Sequence, residues 1–265
     1  MLYINNKLIK LKKFSDGTVA IDDILKNNFT KITWKYDSDE ELFQLYCLTH
    51  YLRENGVKHI ELDMPYIPNA RMDKIISNSS IHTLKYFADF LNDLHFDKVY
   101  VFDPHSDISV NLINNIVVHT PEKYIENVLK LIKTDNLFFF FPDKGAMDRY
   151  SEIIKKYDIP YLFGIKQRDY DKGNVVSLTI SNDKNIELKD MNVLIVDDIF
   201  SSGETIKYSI DLLKKYNVDK IYVFVSHCEN RIIENSLLKN KMIDKLFTTD
   251  SIFRKEISSV VVLNK

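Results

Sequence analysis

From about residue 30 onward, short and nearly unbroken apolar runs alternate with segments whose apolar residues recur at helical spacing. The runs HIELDM (59–64), KVYVF (98–102), NLFFFF (136–141), YLFGI (161–165), NVLIVD (192–197), KIYVFVS (220–226) and KLFTT (245–249) read as strands. Their near-continuous hydrophobicity suits strands covered on both faces, as in parallel sheets. Between the first of them and the N-terminal region, 39–54 places Leu42, Leu45, Tyr46, Thr49 and Leu52 on one helix face. Ser38 with Glu41 reads as a capping box there, and Asn55-Gly56 as the stop. A second helix is expected after Ser79-Ser80, and a third from Thr120-Pro121, with proline in the first helical position. This alternation predicts an α/β fold with right-handed crossovers.

The same pattern occurs twice. TLKYFADFLNDLHFDKVYVFDPH (83–105) aligns without a gap to TIKYSIDLLKKYNVDKIYVFVSH (205–227), with 11 of 23 positions identical. Helix–strand units share apolar spacing by chance, but these two also share Lys, Tyr, Asp and His positions. They predict two tandem, similar halves, each a mainly parallel sheet flanked by helices, with domains at 1–132 and 133–265. The halves differ just upstream: SSGET (201–205) follows Asp197 and Asp198, whereas SSIHT (79–83) has Ile75 and Ile76 at the same offset.

Composition narrows the function. The chain of 265 residues is 45% hydrophobic and 28% charged, as in ordinary globular proteins. A net charge of −2, with lysines interleaved among acids, argues against nucleic acid and anionic membrane as partners. Two unspaced cysteines, Cys47 and Cys228, support neither a disulfide framework nor a thiolate metal site. With no long apolar span or signal-peptide core, a cytoplasmic protein is expected.

VLIVDDIFSSGETI (193–206) carries the chemistry: an apolar strand, an acidic pair, a Ser/Gly/Thr loop and a helix start. Unpaired N–H groups at a helix start bind anions. Ser201, Ser202 and Thr205 add hydroxyl donors, and Gly203 allows close backbone approach. Asp197 and Asp198 cannot hold a phosphate, but they can accept from sugar hydroxyls or bind Mg²⁺. Phosphate and diol together describe a phosphorylated ribose. A plainer alternative has Asp198 capping the helix and Ser202 serving the turn. A Walker-type loop is excluded, because no GxxxxGK[ST] occurs.

This stretch resembles the ribose-phosphate loop of the type I phosphoribosyltransferase fold. FSDGTV (14–19), MPYIPNARMDK (64–74), VFDPHSD (101–107), FPDKGAMDRY (141–150) and GIKQRD (164–169) precede it in the order found in ribose-phosphate diphosphokinases. PNARMDK, DPHSD and PDKGA look especially like the compact versions carried by some large bacteriophages. The resemblance implies transfer of the β,γ-diphosphoryl group of ATP to the anomeric hydroxyl of ribose 5-phosphate, giving phosphoribosyl diphosphate and AMP, with Mg²⁺ as cofactor. It implies that Ser201, Ser202, Gly203, Glu204 and Thr205 hold the 5-phosphate, with Asp197 and Asp198 on the ribose. Asp143, Lys144 and Gly145 match the diphosphate loop, and His105 and Asp143 the metal positions. Arg71, Asp73, His105, Phe14 and Asp16 match ATP contacts, the last two reaching a neighbouring subunit, hence a homo-oligomer. Lys166 and Arg168 match the basic pair of a catalytic flap, although QRDYDKGNVVSLTI also reads as a plain hairpin.

Three residues depart from the family pattern: Met72 in ARMD, Lys144 beside the metal carboxylate, and Glu204 in the phosphate loop. A carboxylate beside a dianionic monoester is repulsive unless it points away. A diester carries one charge less, so ADP-ribose, an acceptor suited to NAD salvage, stands as the alternative. A transferase that consumes phosphoribosyl diphosphate and a non-catalytic regulatory homologue are the other classes. The chain is also shorter than the family pattern at both ends.

Overall fold

The computed structural model describes residues 1–21, 28–74, 80–168, 175–181 and 187–264, with the backbone alone at 11, 166–168 and 175–178. The chain divides into two compact units, Met1–Thr120 and Pro121–Lys265.

The first unit contains β1 (Leu2–Ile4), β2 (Lys7–Leu8), β3 (Leu11–Lys13), β4 (Val19–Ile21), β5 (Phe29–Trp34), α1 (Glu40–Glu54), β6 (His59–Asp63), α2 (Thr83–Asp93), β7 (Lys98–Phe102), α3 (Asp107–Leu112) and β8 (Ile116–His119). Its sheet runs β2-β1-β5-β6-β7-β8, and β5 to β8 are parallel. These four follow chain order across the sheet, so strand order never reverses among them. The pair β3-β4 forms a separate antiparallel ribbon.

The capping box expected at Ser38 and Glu41 does not form. Asp39 is the N-cap of α1 and makes no side-chain cap hydrogen bond. Glu41 turns inward, accepting from Trp34 Nε1 at 2.8 Å, from the Asp37 amide at 2.9 Å and from the Met1 ammonium. Trp34 is fully buried, and its indole N–H needs an acceptor more than a solvated helix end needs a cap. The expected apolar face is also displaced: Tyr46 is exposed, and Leu48 joins Leu45, Thr49 and Leu52 in the interior. Gly56 ends the helix region at φ +81°, as its sequence position implies.

The second unit contains α4 (Glu122–Ile132), β9 (Leu137–Phe141), α5 (Lys144–Ile154), β10 (Tyr161–Arg168), β11 (Val175–Ser181), β12 (Asn192–Phe200), α6 (Glu204–Lys214), β13 (Ile221–Cys228), α7 (Ser236–Lys239), β14 (Lys245–Thr249) and β15 (Val260–Leu263). A 3-10 turn spans Asn230–Glu234. The sheet order is β11-β10-β9-β12-β13-β14-β15, parallel except for β11. From β9 the chain adds β10 and β11 on one side, then crosses to build β12 to β15 on the other. The carboxyl ends of β9 and β12 therefore flank a topological switch point, where open α/β sheets hold ligands.

Alternation along β9 and β12 explains their unbroken apolar sequence. Phe138, Phe140, Val193 and Ile195 enter one core layer, whereas Phe139, Phe141, Leu194 and Val196 enter the other. Ile125 and Val128 of α4 lie in that second layer. The break between units thus precedes α4 instead of falling at 132/133: the helix buries its stripe against β9. Pro121 is the N-cap itself, so α4 starts one residue later than the proline pattern implies.

The two repeats fold alike. Leu84, Phe87, Ala88 and Leu91 of α2 are buried, and so are their counterparts Ile206, Ser209, Ile210 and Leu213 of α6. Val99, Val101 and Phe102 match buried Ile221, Val223 and Phe224 in the same way. Among the described residues, no helix is long and apolar enough to cross a membrane.

Candidate active site

Two loops meet at the switch point of the second unit. One leaves β9 through Pro142 and Asp143 into α5, and the other leaves β12 through Ser201, Ser202 and Gly203 into α6. The strands are hydrogen-bonded neighbours up to the pair Phe140–Ile195, so these loops emerge side by side.

The start of α6 is built for a ligand. Gly203 is its N-cap, at φ +80° and ψ 5°, and makes no side-chain cap hydrogen bond; the Glu204 amide donates to Ser202 Oγ at a long 3.5 Å. Glycine is required there twice over. The left-handed conformation disfavours other residues, and a Cβ would stand 2.5 Å from Phe200 Cε2 and 2.6 Å from Asn235 Nδ2. Asn235 Nδ2 donates to the Ser202 carbonyl at 2.7 Å, holding the loop from the side of the β13–α7 connection. From the same connection Arg231 Nη2 donates to Ser201 Oγ at 3.1 Å, while its Nε pairs with Glu229 at 2.9 Å. With the Ser201 oxygen accepting from a cation, its own proton is turned outward as a donor. Ser201 and Gly203 are buried, Thr205 half-buried, and Ser202 and Glu204 exposed. Glu204 is the first residue of α6, where a carboxylate is favourable to the helix dipole and faces solvent.

The acidic pair does not cap α6, so the plainer reading of Asp198 fails. Asp198 lies inside β12, its side chain 7% exposed, with Oδ1 3.1 Å from Arg149 Nη1 of α5. Asp197 is half-buried, and its Oδ1 accepts from the Asp198 amide at 3.0 Å. Burial, then the Asp198 and Asp143 carboxylates, push the Asp197 carboxyl well above the usual carboxylate range. A cluster of anions with this deficit of positive charge suits a cation or a hydroxyl-bearing ligand.

Asp143 is a helix cap that lies within electrostatic reach of the acidic pair. Its Oδ1 accepts from the Ala146 amide at 3.0 Å and caps α5, and it also acts electrostatically on Asp197. Gly145 sits beside it, where a Cβ would stand 3.3 Å from Asp143 Oδ1. Lys144 is the exposed first residue of the helix. The donors here are carboxylate oxygens, which suit Mg²⁺. Among the described residues, no group of three or more His, Cys, Asp or Glu could hold a metal ion by itself.

Strand β10 pairs with β9 only through Tyr161–Phe163. Beyond that it continues to Arg168 with β11 alone, from Phe163–Ser181 to Arg168–Val175, with an irregularity between Gln167 and Arg168. At about 3.3 Å per residue, the ribbon extends roughly 17 Å past the carboxyl end of β9. The backbone of Lys166 and Arg168 belongs to this ribbon, whose hairpin strands the sequence anticipates. Their side chains, and the DKGN turn, lie outside the described residues.

The remaining expected residues lie in the first unit. Arg71 is exposed and Asp73 half-buried in the segment after β6. His105 is half-buried in the bend between β7 and α3. The Phe102 amide donates to the Pro65 carbonyl at 3.0 Å, joining the segments that follow these adjacent strands. Asp103 between them is buried at φ +42°, a strained conformation at the ligand-facing end of the sheet. Phe14 is 60% exposed at the tip of the β3-β4 ribbon. Asp16 accepts from the Thr18 amide and hydroxyl at 2.9 and 2.7 Å, which holds it below the usual carboxylate range.

Sequence reasoning missed Arg149, Arg231 and Asn235. For Arg149 a signal existed: with Ala146 and Ile153 it falls on the buried stripe of α5, where a charge needs a partner. Arg231 and Asn235 carried none.

Comparison with known proteins agrees with this geometry. The chain is 27% identical over 253 residues to the ribose-phosphate pyrophosphokinase of Pyrococcus furiosus, covering 92% of this chain and 86% of that one. It is 26% identical over 273 residues to the ribose-phosphate pyrophosphokinase of Mycoplasma genitalium, covering 98% and 80%. The crystal structure of phosphoribosylpyrophosphate synthetase from Mycobacterium smegmatis superposes with a TM-score of 0.81 over 97% of this chain and 86% of that chain, at 15% identity, and so shares its fold. Residues 113–255, which include both loops at the switch point, match the phosphoribosyl transferase domain. That span is more than half of the chain, and the chain belongs to the phosphoribosyl transferase domain family.

Proposed function

We propose that this chain is an ATP-dependent ribose-phosphate diphosphokinase. It moves the β,γ-diphosphoryl group of ATP to the anomeric hydroxyl of ribose 5-phosphate and releases phosphoribosyl diphosphate and AMP. The observation that carries this reading is the start of α6, which lacks a side-chain cap and follows two carboxylates at the switch point. An anionic group takes the place of the missing cap, and a sugar diol meets the carboxylates. The near full-length likeness to named ribose-phosphate pyrophosphokinases supports diphosphoryl transfer over phosphoribosyl transfer.

Each residue has a physical task. Ser201, Ser202, Thr205 and the first amides of α6 bind the 5-phosphate. Asp197 and Asp198 accept from the ribose hydroxyls and orient the anomeric oxygen toward the β-phosphorus. Asp143, Lys144 and Gly145 line the diphosphate position beside it. Arg71, Asp73 and His105 bind ATP. Lys166 and Arg168, on the ribbon beyond β9, neutralise charge that develops on the transferring group. The work is positioning and electrostatics, as in other phosphoryl transfers. Asp143, beside the acidic pair, would hold Mg²⁺, which supplies charge neutralisation on the phosphate oxygens.

A second acceptor, ADP-ribose, is favoured by one feature. Ser202 and Glu204 form an exposed outer rim to the cradle while Ser201 and Gly203 are buried. A phosphate that carries a further substituent, as in the diphosphate of ADP-ribose, can leave along that rim. The exposed Phe14 on its separate ribbon supports service to a partner subunit and hence a homo-oligomer. The setting is the cytoplasm, where ATP and these acceptors are present.

The test is an acceptor comparison with product identification by mass spectrometry. Mg²⁺-dependent AMP release with ribose 5-phosphate or ADP-ribose is expected, and absence of AMP above background with both acceptors sinks the kinase reading.

A further inference from the structure

A side chain of the helix that opens with the diphosphate loop reaches the acidic pair. Helix α5 begins directly after Asp143, whose carboxylate caps it. Six residues on, about 9 Å along the helix axis, Arg149 places Nη1 at 3.1 Å from Asp198 Oδ1. The Arg149 side chain is 26% exposed and that of Asp198 7%, so the pair is largely shielded from water. The same helix side is fixed by Ala146, Tyr150 and Ile153, all buried in the core layer beneath β9 and β12. Arg149 therefore projects from a rigid support, and its permanent charge, close to Asp198 Oδ1 without the geometry of a hydrogen bond at Nη1, holds the carboxylate in place electrostatically.

We propose that Arg149 is a positioning residue for the acceptor: it sets Asp198 in the orientation that accepts from a ribose hydroxyl. The inference rests on the diol reading of the acidic pair given above. It adds a specificity determinant that touches neither substrate. Arg149 acts through Asp198, and because it rides on the helix that opens with the diphosphate loop, the loop and the diol clamp keep a fixed spacing.

The full-length protein is assayed with ATP and Mg²⁺ against ribose 5-phosphate and its 2-deoxy and 3-deoxy analogues. Wild type, R149M, R149K, D198N and R149M/D198N are compared, with folding checked by circular dichroism. A site built to bond a hydroxyl discriminates strongly against the analogue that lacks it. R149M is expected to raise KM for ribose 5-phosphate and to cut the preference over one deoxy analogue by about tenfold or more, with KM for ATP within about twofold. R149K is expected to restore part of that preference. R149M/D198N is expected to match D198N, because removing the carboxylate leaves Arg149 nothing to position. Folded R149M with unchanged preference overturns the inference, and so does a double variant that loses preference beyond D198N. If R149M does not fold, the comparison of D198N with the double variant decides, since that pair leaves no buried carboxylate unpaired. Wild type that binds ribose 5-phosphate calorimetrically but releases no AMP sinks the kinase reading alone, and the same preferences are then read from binding. Wild type that binds no ribose phosphate sinks both.

Discussion

The amide of Asp198 donates to Oδ1 of Asp197 at 3.0 Å, so the two carboxylates of the pair sit in different electrostatic settings. Asp198 has a guanidinium beside it. Asp197 has burial and two neighbouring carboxylates, which drive it toward its neutral form. A carboxyl whose folded pKa is raised costs stability as pH climbs from its unfolded value, about 3.9, through the folded one. In metal-free and substrate-free protein, Asp197→Asn should therefore raise Tm at pH 7, and the gain should fade as pH falls toward about 4. The same variant should bind ribose 5-phosphate more weakly. Thermal melts from pH 4 to 8 and calorimetry check both, and a destabilised variant at pH 7 counts against the placement of Asp197.

Gly203→Ala should fail on two grounds. Backbone strain at φ +80° costs about 1 to 3 kcal/mol, and the new methyl displaces Phe200 or Asn235. Urea denaturation should show the loss, and KM for the acceptor should rise with it. The same substitution at Gly145, where the nearest atom is 3.3 Å away, should be milder.

Arg231→Ala removes the guanidinium that donates to Ser201 Oγ and orients it. Weakening one hydroxyl hydrogen bond to the phosphate, about 0.5 to 1.5 kcal/mol, should raise KM for ribose 5-phosphate about two- to tenfold with kcat little changed. The Arg231 side chain is 61% exposed, so its pair with Glu229 adds little stability and Tm should stay within about two degrees. Initial-rate kinetics separate the two effects.

Lys166→Ala should lower kcat by about a hundredfold or more while acceptor binding stays near wild type. Equal losses in turnover and in calorimetric affinity would move Lys166 from charge stabilisation to substrate binding.

Cys228 is fully buried at the end of β13, and burial pushes its thiol well above the usual range. It should resist thiol reagents in native protein at pH 7.5 and react only in denaturant. Reaction of two thiols under native conditions would show that β13 opens readily.

The strands and the phosphate loop were legible because their signals are local and repeated. LFFFF and VLIV demand cover on both faces, and the 83–105 and 205–227 copies align without a gap at 11 of 23 identical positions. What stayed hidden depends on partners distant in sequence. Glu41 reads as a helix cap until Trp34 is seen beside it. Tyr46 fits the apolar stripe as well as Leu48 does, until the sheet decides which face of α1 is covered. Arg149, Arg231 and Asn235 reach the site from other elements, each across a gap of 30 or more residues. The reversal of strand order at β9, which makes the crevice, cannot be read from any single segment.

The coincidence of buried positions in the two repeats has an evolutionary side. Helix and strand form one packing solution used twice, and the 201–203 loop before α6 is not among the positions they share. Chemistry can then be gained or lost in that loop without reworking the interior. Replacing Ile81-His82 by Gly-Glu to copy the second loop should leave the first unit folded. A duplicated gene with this design leaves each copy free to take up a different ligand on the same architecture.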